Sequence, residues 1–364
     1  MKISEVIQQL EKLAPLSLQE SYDNSGLIVG DKNAIAKNPI ICLDSTEAVI
    51  DEAIESNSNL VIAHHPIVFS GLKSITGKNY IERTIIKAIK NDIAIYAIHT
   101  NLDNVDVGVN KMIADKIGLE KTSILSPKKE LLTKLVFFCP TAEAERVREA
   151  AFKAGAGKIG EYDSCSFNLE GEGTFKAGEN TNPHVGEIGK VHKEEETRIE
   201  TIVPNTSLNK VLTAMIKAHP YEEVAYDLYP LNNSWNKVGS GMVGELKEPL
   251  LAETFLDHLK KTLKTEVIRH TNILKEKVSR IAICGGSGSF LLNHAISHKA
   301  DVFITADFKY HQFFDANDKI VIADVGHFES EQFTTQLIQN YLQEKIPNFA
   351  TYLSKVNTNP INYR

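Results

Sequence analysis

Two stretches in the middle of the chain repeat one pattern of strand, proline, polar cap and helix. KLVFFCP (134–140) leads through Thr141 into AEAERVREAAFKAG, and TRIETIVP (197–204) leads through Asn205-Thr206-Ser207 into LNKVLTAMIKAHP. A second strand follows each helix, the later one being VAYDLYP (224–230). The duplication therefore predicts βαβ twice, an α+β ferredoxin-like split βαβ module placed at 131–235. Between its halves, GEGTFKAGENTNPHVGEIGKVHKEEETR suits exposed hairpins or a flexible excursion rather than core. The flanks have a different rhythm. PIICLD (39–44), NLVIA (59–63) and DIAIYAI (92–98) alternate with helices beginning near Thr46 and Tyr80. SRIAIC (279–284), ADVFIT (300–305) and KIVIAD (319–324) resume the alternation, the last followed by a helix with Phe333, Leu337, Ile338 and Leu342 on one face. This is an α/β signature. It predicts a discontinuous core domain of two α/β lobes, 1–130 and 236–364, interrupted by the insert.

Composition narrows the function classes. Of 364 residues, 42% are hydrophobic and 24% charged, which excludes a disordered or fibrous chain. Lys plus Arg total 40 against 47 for Asp plus Glu, a net charge of -7, so nucleic-acid binding is disfavoured. Cys42, Cys139, Cys165 and Cys284 lie far apart with no C-x-x-C pair, which fits reduced thiols in a cytoplasm. The first residues place Val6, Ile7, Leu10 and Leu13 on one helical face instead of forming a signal segment, and no later run approaches ~20 apolar residues, so a cytoplasmic protein without membrane spans is expected.

Chemistry-bearing residues cluster where strands end. His64-His65-Pro66 directly follows the apolar run Leu60–Ala63, and ligands of open parallel sheets collect beyond the carboxyl ends of the strands. Adjacent side chains on a strand point apart, so the doublet suits two ions with one imidazole each; a hydrogen-bonded pair at a turn fixed by Pro66 is the alternative. After the strand ending at Ile98 comes His99-Thr100-Asn101-Leu102-Asp103, which offers a hard oxygen ligand in Asp103 or simply an Asx turn. After Asp324 comes GHFESE, with His327 and Glu331 four apart and on one face if a helix has begun; Glu331 is equally suited to a helix's acidic first turn. The glycines of CGGSGS (284–289) can cradle an anion or merely make a tight turn, and Lys309 and His311 can line the same cleft and meet a phosphate, although each alone reads better as a solvated turn residue. His99 is either a partner orienting a ligand or the general base. His219-Pro220 reads as a helix stop.

AHHPIVFSGLKSIT, AIHTNLDNVDVGVN, VGHFESEQF, SYDNSGLIVG and ITADFKYH together resemble the NGG-interacting-factor-three-like dinuclear-metal family, known in bacteria as GTP cyclohydrolase 1 type 2 homologs. IGEYDSCSF and HPYEEVAYDLYPL resemble the PII-like or CutA-like insert of its longer bacterial members. The resemblance spans the chain and implies two divalent ions, zinc, iron or manganese, on His64, His65, Asp103, His327 and Glu331, with Glu331 bridging. Tyr22 stands where the family's Asp-Asn motif is commonly preceded by Trp. The resemblance further implies two related lobes, a toroidal homohexamer with its sites facing an internal cavity, and attack of a metal-activated water on guanine C8 of GTP with loss of formate. Against this enzyme stands a non-catalytic, metal-dependent scaffold or regulator whose insert senses a small molecule or partner.

Overall fold

The computed structural model describes residues 1–364 and divides into two compact units, Met1–Pro127 with Lys237–Arg364, and Lys128–Asn236. In the first unit, β1 (Gly26–Val29), β2 (Ile40–Asp44), β3 (Leu60–His65) and β4 (Ala94–Ala97) form a sheet ordered β1-β4-β3-β2, and the short strand Tyr352–Leu353 adds to the outer edge of β2. β2, β3 and β4 are parallel, and almost every residue in them is buried, as befits strands covered on both faces. The helices Glu47–Glu55 and Tyr80–Lys90 begin where Thr46 and Asn79 accept backbone N–H bonds from Val49 and Glu82. They pack Val49, Ile50, Ala53, Ile85 and Ala88 into the core of this lobe. β5 (Leu119–Lys128) then carries the chain away.

The second unit contains β6 (Leu132–Pro140), β7 (Ser166–Lys176), β8 (Val191–Pro204) and β9 (Tyr226–Leu231) in the antiparallel order β7-β8-β6-β9. Helices Ala144–Ala154 and Leu208–Ala218 bury Val147, Ala151, Val211 and Met215 against Phe137, Ile199 and Val203. The segment read from sequence as hairpins or an excursion is one long hairpin, paired without a break from Ser166↔Thr201 to Lys176↔Val191. β8 begins at Val191 rather than Thr197 because its outer half has no core to face. That half rests on its backbone ladder and on cross-strand charge, such as Lys193 Nζ to Glu172 at 2.7 Å.

Back in the first unit, β10 (Trp235–Leu251), β11 (Arg269–His270), β12 (Lys277–Ser287), β13 (Val302–Ala306) and β14 (Val321–Asp324) join β5 in a sheet ordered β11-β14-β13-β12-β10-β5. β12, β13 and β14 are parallel, flanked by antiparallel β10 and β11. Phe303, Ile322, Leu292 and Ala295 belong to its core. Each of the two sheets of this unit thus has three parallel strands at its centre, and Tyr352–Leu353 runs parallel to β2 at the edge of the first. The carboxyl ends of β2, β3 and β4 lead to Asp44, His65 and His99, and those of β12, β13 and β14 to Gly286, Asp307 and His327. No helix is long and apolar enough to cross a membrane.

Candidate metal centre

His64 and His65 are the last residues of β3, with ring centroids 4.9 Å apart. His64 Nδ1 lies 2.8 Å from the Ile98 carbonyl oxygen, and His65 Nδ1 lies 2.8 Å from Asp44 Oδ1, Asp44 being the register partner of His65 on β2. His327 opens the short helix His327–Glu331 after β14, and its Nδ1 lies 2.6 Å from Asp307 Oδ2. Each Nδ1 is therefore tied outward, which turns the three Nε2 atoms inward. They converge on one oxygen: Glu331 Oε2 is 3.0 Å from His65, 3.1 Å from His327 and 3.9 Å from His64. His65 and His327 Nε2 are 3.4 Å apart, and His64 Nε2 is 3.7 Å from Asp103 Oδ1.

These separations match the roughly 3.4 Å between donor atoms that each sit about 2.1 Å from a shared tetrahedral ion. A second observation supports the fit. His64 Nε2 and Asp103 Oδ1 are sealed from solvent and have no hydrogen-bond partner, although 24% of the Asp103 side chain reaches the cleft. Leaving a buried polar atom unpaired costs about 1–3 kcal/mol. An imidazole lone pair beside a carboxylate oxygen is a donor set that a cation completes. Three groups of donors lie within 4.8 Å of one another: His65, His327 and Glu331; His64, Asp103 and Glu331; and His64, His65 and His99. Clustered His, Asp and Glu side chains thus form a potential metal-binding site. His99 stands beside the cluster, edge-on to both His64 and His65 at 5.3 Å, with Nδ1 2.8 Å from Asp23 Oδ1.

The profile of the Duf34/NIF3 (NGG1p interacting factor 3) family matches residues 1–360. The chain belongs to that family. A GTP cyclohydrolase 1 type 2 homolog of Halalkalibacterium halodurans is 42% identical over 363 residues, covering 98% of each chain. A Bacillus subtilis protein of the same description is 37% identical over 364 residues, covering 99% of this chain and 98% of its own. The crystal structure of a Bacillus cereus protein related to NIF3 superposes with a TM-score of 0.90 at 40% identity, covering 100% of this chain and 99% of its own.

In this Duf34/NIF3 chain, burial works against charge throughout the cluster. Burial, reinforced by the neighbouring Glu331, holds the Asp103 carboxyl well above the usual carboxylate range. Burial pushes Glu331 the same way, but hydrogen bonds from His327 and His65, with the His64 imidazole close by, outweigh it and hold Glu331 well below that range. Burial lowers His64. It also disfavours charge on His65, yet bonds to Asp44 and Glu331 prevail and raise that imidazole to about 9. Asp307 and Glu331 likewise overcome burial at His327 and raise it to about 11. Protons on these two rings balance Glu331 in the protein by itself, a role divalent cations can take over. Asp23 is buried, but bonds from His99 and Thr100 hold it ionised, well below the usual range.

Three acids that orient imidazoles were not singled out from sequence: Asp44, Asp307 and Asp23. All three lay within quoted motifs; for Asp44 and Asp307 the usable signal was a carboxylate at the carboxyl end of a strand adjacent to a histidine-bearing one, whereas Asp23 lies in the turn before β1 and carried no such signal. At two places where the sequence left alternatives open, the structure favours the plainer one. In the glycine turn of CGGSGS, Gly285 N donates to Asn110 Oδ1 at 2.9 Å and Gly286 N to Ser330 Oγ at 3.0 Å, so neither of these amides is open to an anion. Its glycines make room instead: Gly286 sits at φ +60, and a Cβ there would lie 2.4 Å from Glu331 Oε1. Lys309 and His311 do not line the cleft. The Lys309 N–H closes a turn onto Gln312 Oε1, and the His311 ring packs against Tyr310 and Phe314. His219 ends its helix, as its Pro220 neighbour predicts.

Proposed function

We propose that this protein is a divalent-metal-dependent hydrolase with two ions per subunit, one held by His64, Asp103 and Glu331 and the other by His65, His327 and Glu331. The observation that carries this is the convergence of three oriented imidazoles on Glu331 beside the unpaired buried atoms of His64 and Asp103. Zinc, iron and manganese all accept this mixture of imidazole and carboxylate. Once bound, such ions supply Lewis acidity and lower the pKa of a coordinated water. The chain's own residues do the rest. Ile98, Asp44 and Asp307 fix the three ligand rings. His99, one wall of a cleft of about 510 Å³, is held at Nδ1 by ionised Asp23, which leaves Nε2 to move a proton as general acid or base.

The substrate that the relatives' description supports is GTP; the family resemblance implies opening at guanine C8 with release of formate. The test is turnover of GTP by protein loaded with zinc, iron or manganese, with formate assayed and the organic product identified by mass. Turnover that disappears in His65→Ala and Glu331→Ala is the expected result. Stoichiometric metal without turnover of GTP, phosphoesters or cyclic amides would favour the scaffold reading. One observation speaks for that second reading: the unit Lys128–Asn236 has its own cavity of about 320 Å³, with Phe175, Tyr221 and Glu196 in its wall. Its strand order supports reading it as the ferredoxin-like, PII-like or CutA-like insert. We read 1–130 and 236–364 as the two lobes of the core, exchanging one strand each: β5 joins the sheet of the second and Tyr352–Leu353 that of the first. We further propose a homohexamer, by family resemblance, and a cytoplasmic location, in keeping with four free cysteines.

A further inference from the structure

Four large apolar side chains of the metal cleft are unusually open to solvent: Tyr22 (61%), Phe69 (51%), Phe290 (62%) and Ile361 (51%). Two of them begin a continuous line of rings. Tyr22 and Phe69 have centroids 6.1 Å apart, Phe69 meets His99 edge-on at 6.3 Å, and His99 meets both His64 and His65 at 5.3 Å. One wall therefore runs as a line of aromatic rings, tilted at Tyr22 and Phe69 and edge-on at His99, from the open mouth to the buried cluster. The other feature is charge. The lining includes Glu20, Asp44, Asp103 and Glu331 and contains neither lysine nor arginine. Recognition of a polyphosphate by a protein ordinarily uses those cations or a cradle of free backbone amides. Here the glycine amides of residues 285 and 286 are already committed to Asn110 and Ser330.

We infer that the cleft grips its substrate by a planar, uncharged heterocycle laid against Tyr22 and Phe69, with the ring edge directed at the metal cluster and any phosphates left outside without a protein subsite. This rests on the hydrolase reading and narrows it, since the ring and not the triphosphate becomes the recognised part. Stacking on aromatic side chains tolerates different bases because every base presents a π-face. Adenosine should therefore bind nearly as well as guanosine, and selection between them would fall to the chemical step.

Binding of guanosine, adenosine, GTP and tripolyphosphate to the full chain, measured by saturation-transfer NMR and calorimetry, tests this, with the metal content of every sample measured alongside. Guanosine is expected to bind within about threefold of GTP, and tripolyphosphate should not displace it. Tyr22→Ala and Phe69→Ala should each weaken guanosine by about tenfold, while Tyr22→Trp retains binding. Both positions are exposed, so these variants should fold, and unchanged melting temperatures would verify it. Displacement by tripolyphosphate, GTP binding about a hundredfold tighter than guanosine, or unchanged affinity in both alanine variants overturns the inference. Failure of the hydrolase reading looks different: guanosine still binds through Tyr22 and Phe69, but no metal is retained and no substrate turns over.

Discussion

Histidines gather with aromatic and acidic side chains in both units, and the two gatherings differ in what their nitrogens do. In the inserted unit, His219 Nε2 is 2.8 Å from the Phe138 carbonyl oxygen and Nδ1 accepts the Tyr221 N–H at 3.1 Å, so both nitrogens serve the fold. His192 Nε2 is paired with Glu194 at 2.8 Å. In the core, His64, His65 and His327 are tied outward through Nδ1, and their Nε2 atoms converge on one carboxylate, Glu331, which lies 3.0 Å from His65, 3.1 Å from His327 and 3.9 Å from His64. Ring proximity is similar in both places, with His219 and Tyr221 at 5.1 Å and His65 and His327 at 5.2 Å. Clustering alone therefore does not single out a candidate metal site; convergence of several oriented nitrogens on one carboxylate does.

The sharpest way to break this comparison is Glu331→Ala, which removes the oxygen common to both donor groups. Bound metal should drop from stoichiometric to background by elemental analysis, whereas His219→Ala should leave it unchanged. Next in size is Asp44→Asn. Weakening the hydrogen bond that orients His65 should lower metal affinity about 10- to 100-fold, read by competition with a chelating dye. A pH series sharpens the contrast further. His65 and His327 have folded values of about 9 and about 11, both raised above the ordinary 6.5. Their stabilisation of chelator-treated protein is fully present below that ordinary value and is lost as pH rises through the folded ones. The melting temperature without metal should thus fall from pH 7 towards 10, and saturating metal should flatten the decline. His219→Ala should cost about 1–2 kcal/mol of stability through its lost hydrogen bonds. If it also strips metal, the distinction between the two gatherings fails. Smallest is Thr358→Val, which removes a 2.6 Å bond to Asp44 Oδ2 and should weaken metal binding only about two- to threefold.

Much of the site could be read from sequence because it sits where patterns change. The run Leu60–Ala63 is apolar enough to identify a buried strand, so the polar doublet after it falls at a carboxyl end. The four-residue spacing of His327 and Glu331 becomes a 3.1 Å contact because a helix does begin at His327. Asp44 was opaque for the opposite reason: its role depends on the pairing Asp44↔His65, a register no local pattern reports. Asp307 reaches His327 from a left-handed backbone at φ +59, equally invisible locally. β10 escaped notice because glycines interrupt it. Gly239 is required there, since a Cβ would lie 2.2 Å from the Ser126 carbonyl oxygen, and such close approach is a property of the neighbouring strand. The outer hairpin of β7 and β8 is polar on both faces, so alternation of hydrophobicity could not reveal it.

Anomalous X-ray scattering from crystals soaked in zinc or manganese, recorded on both sides of the metal's absorption edge, tests the central claim most directly. Two peaks per chain are expected, one among His64, Asp103 and Glu331 and the other among His65, His327 and Glu331. A cleft without peaks at saturating metal, or peaks held by the inserted unit's histidines instead, would contradict it.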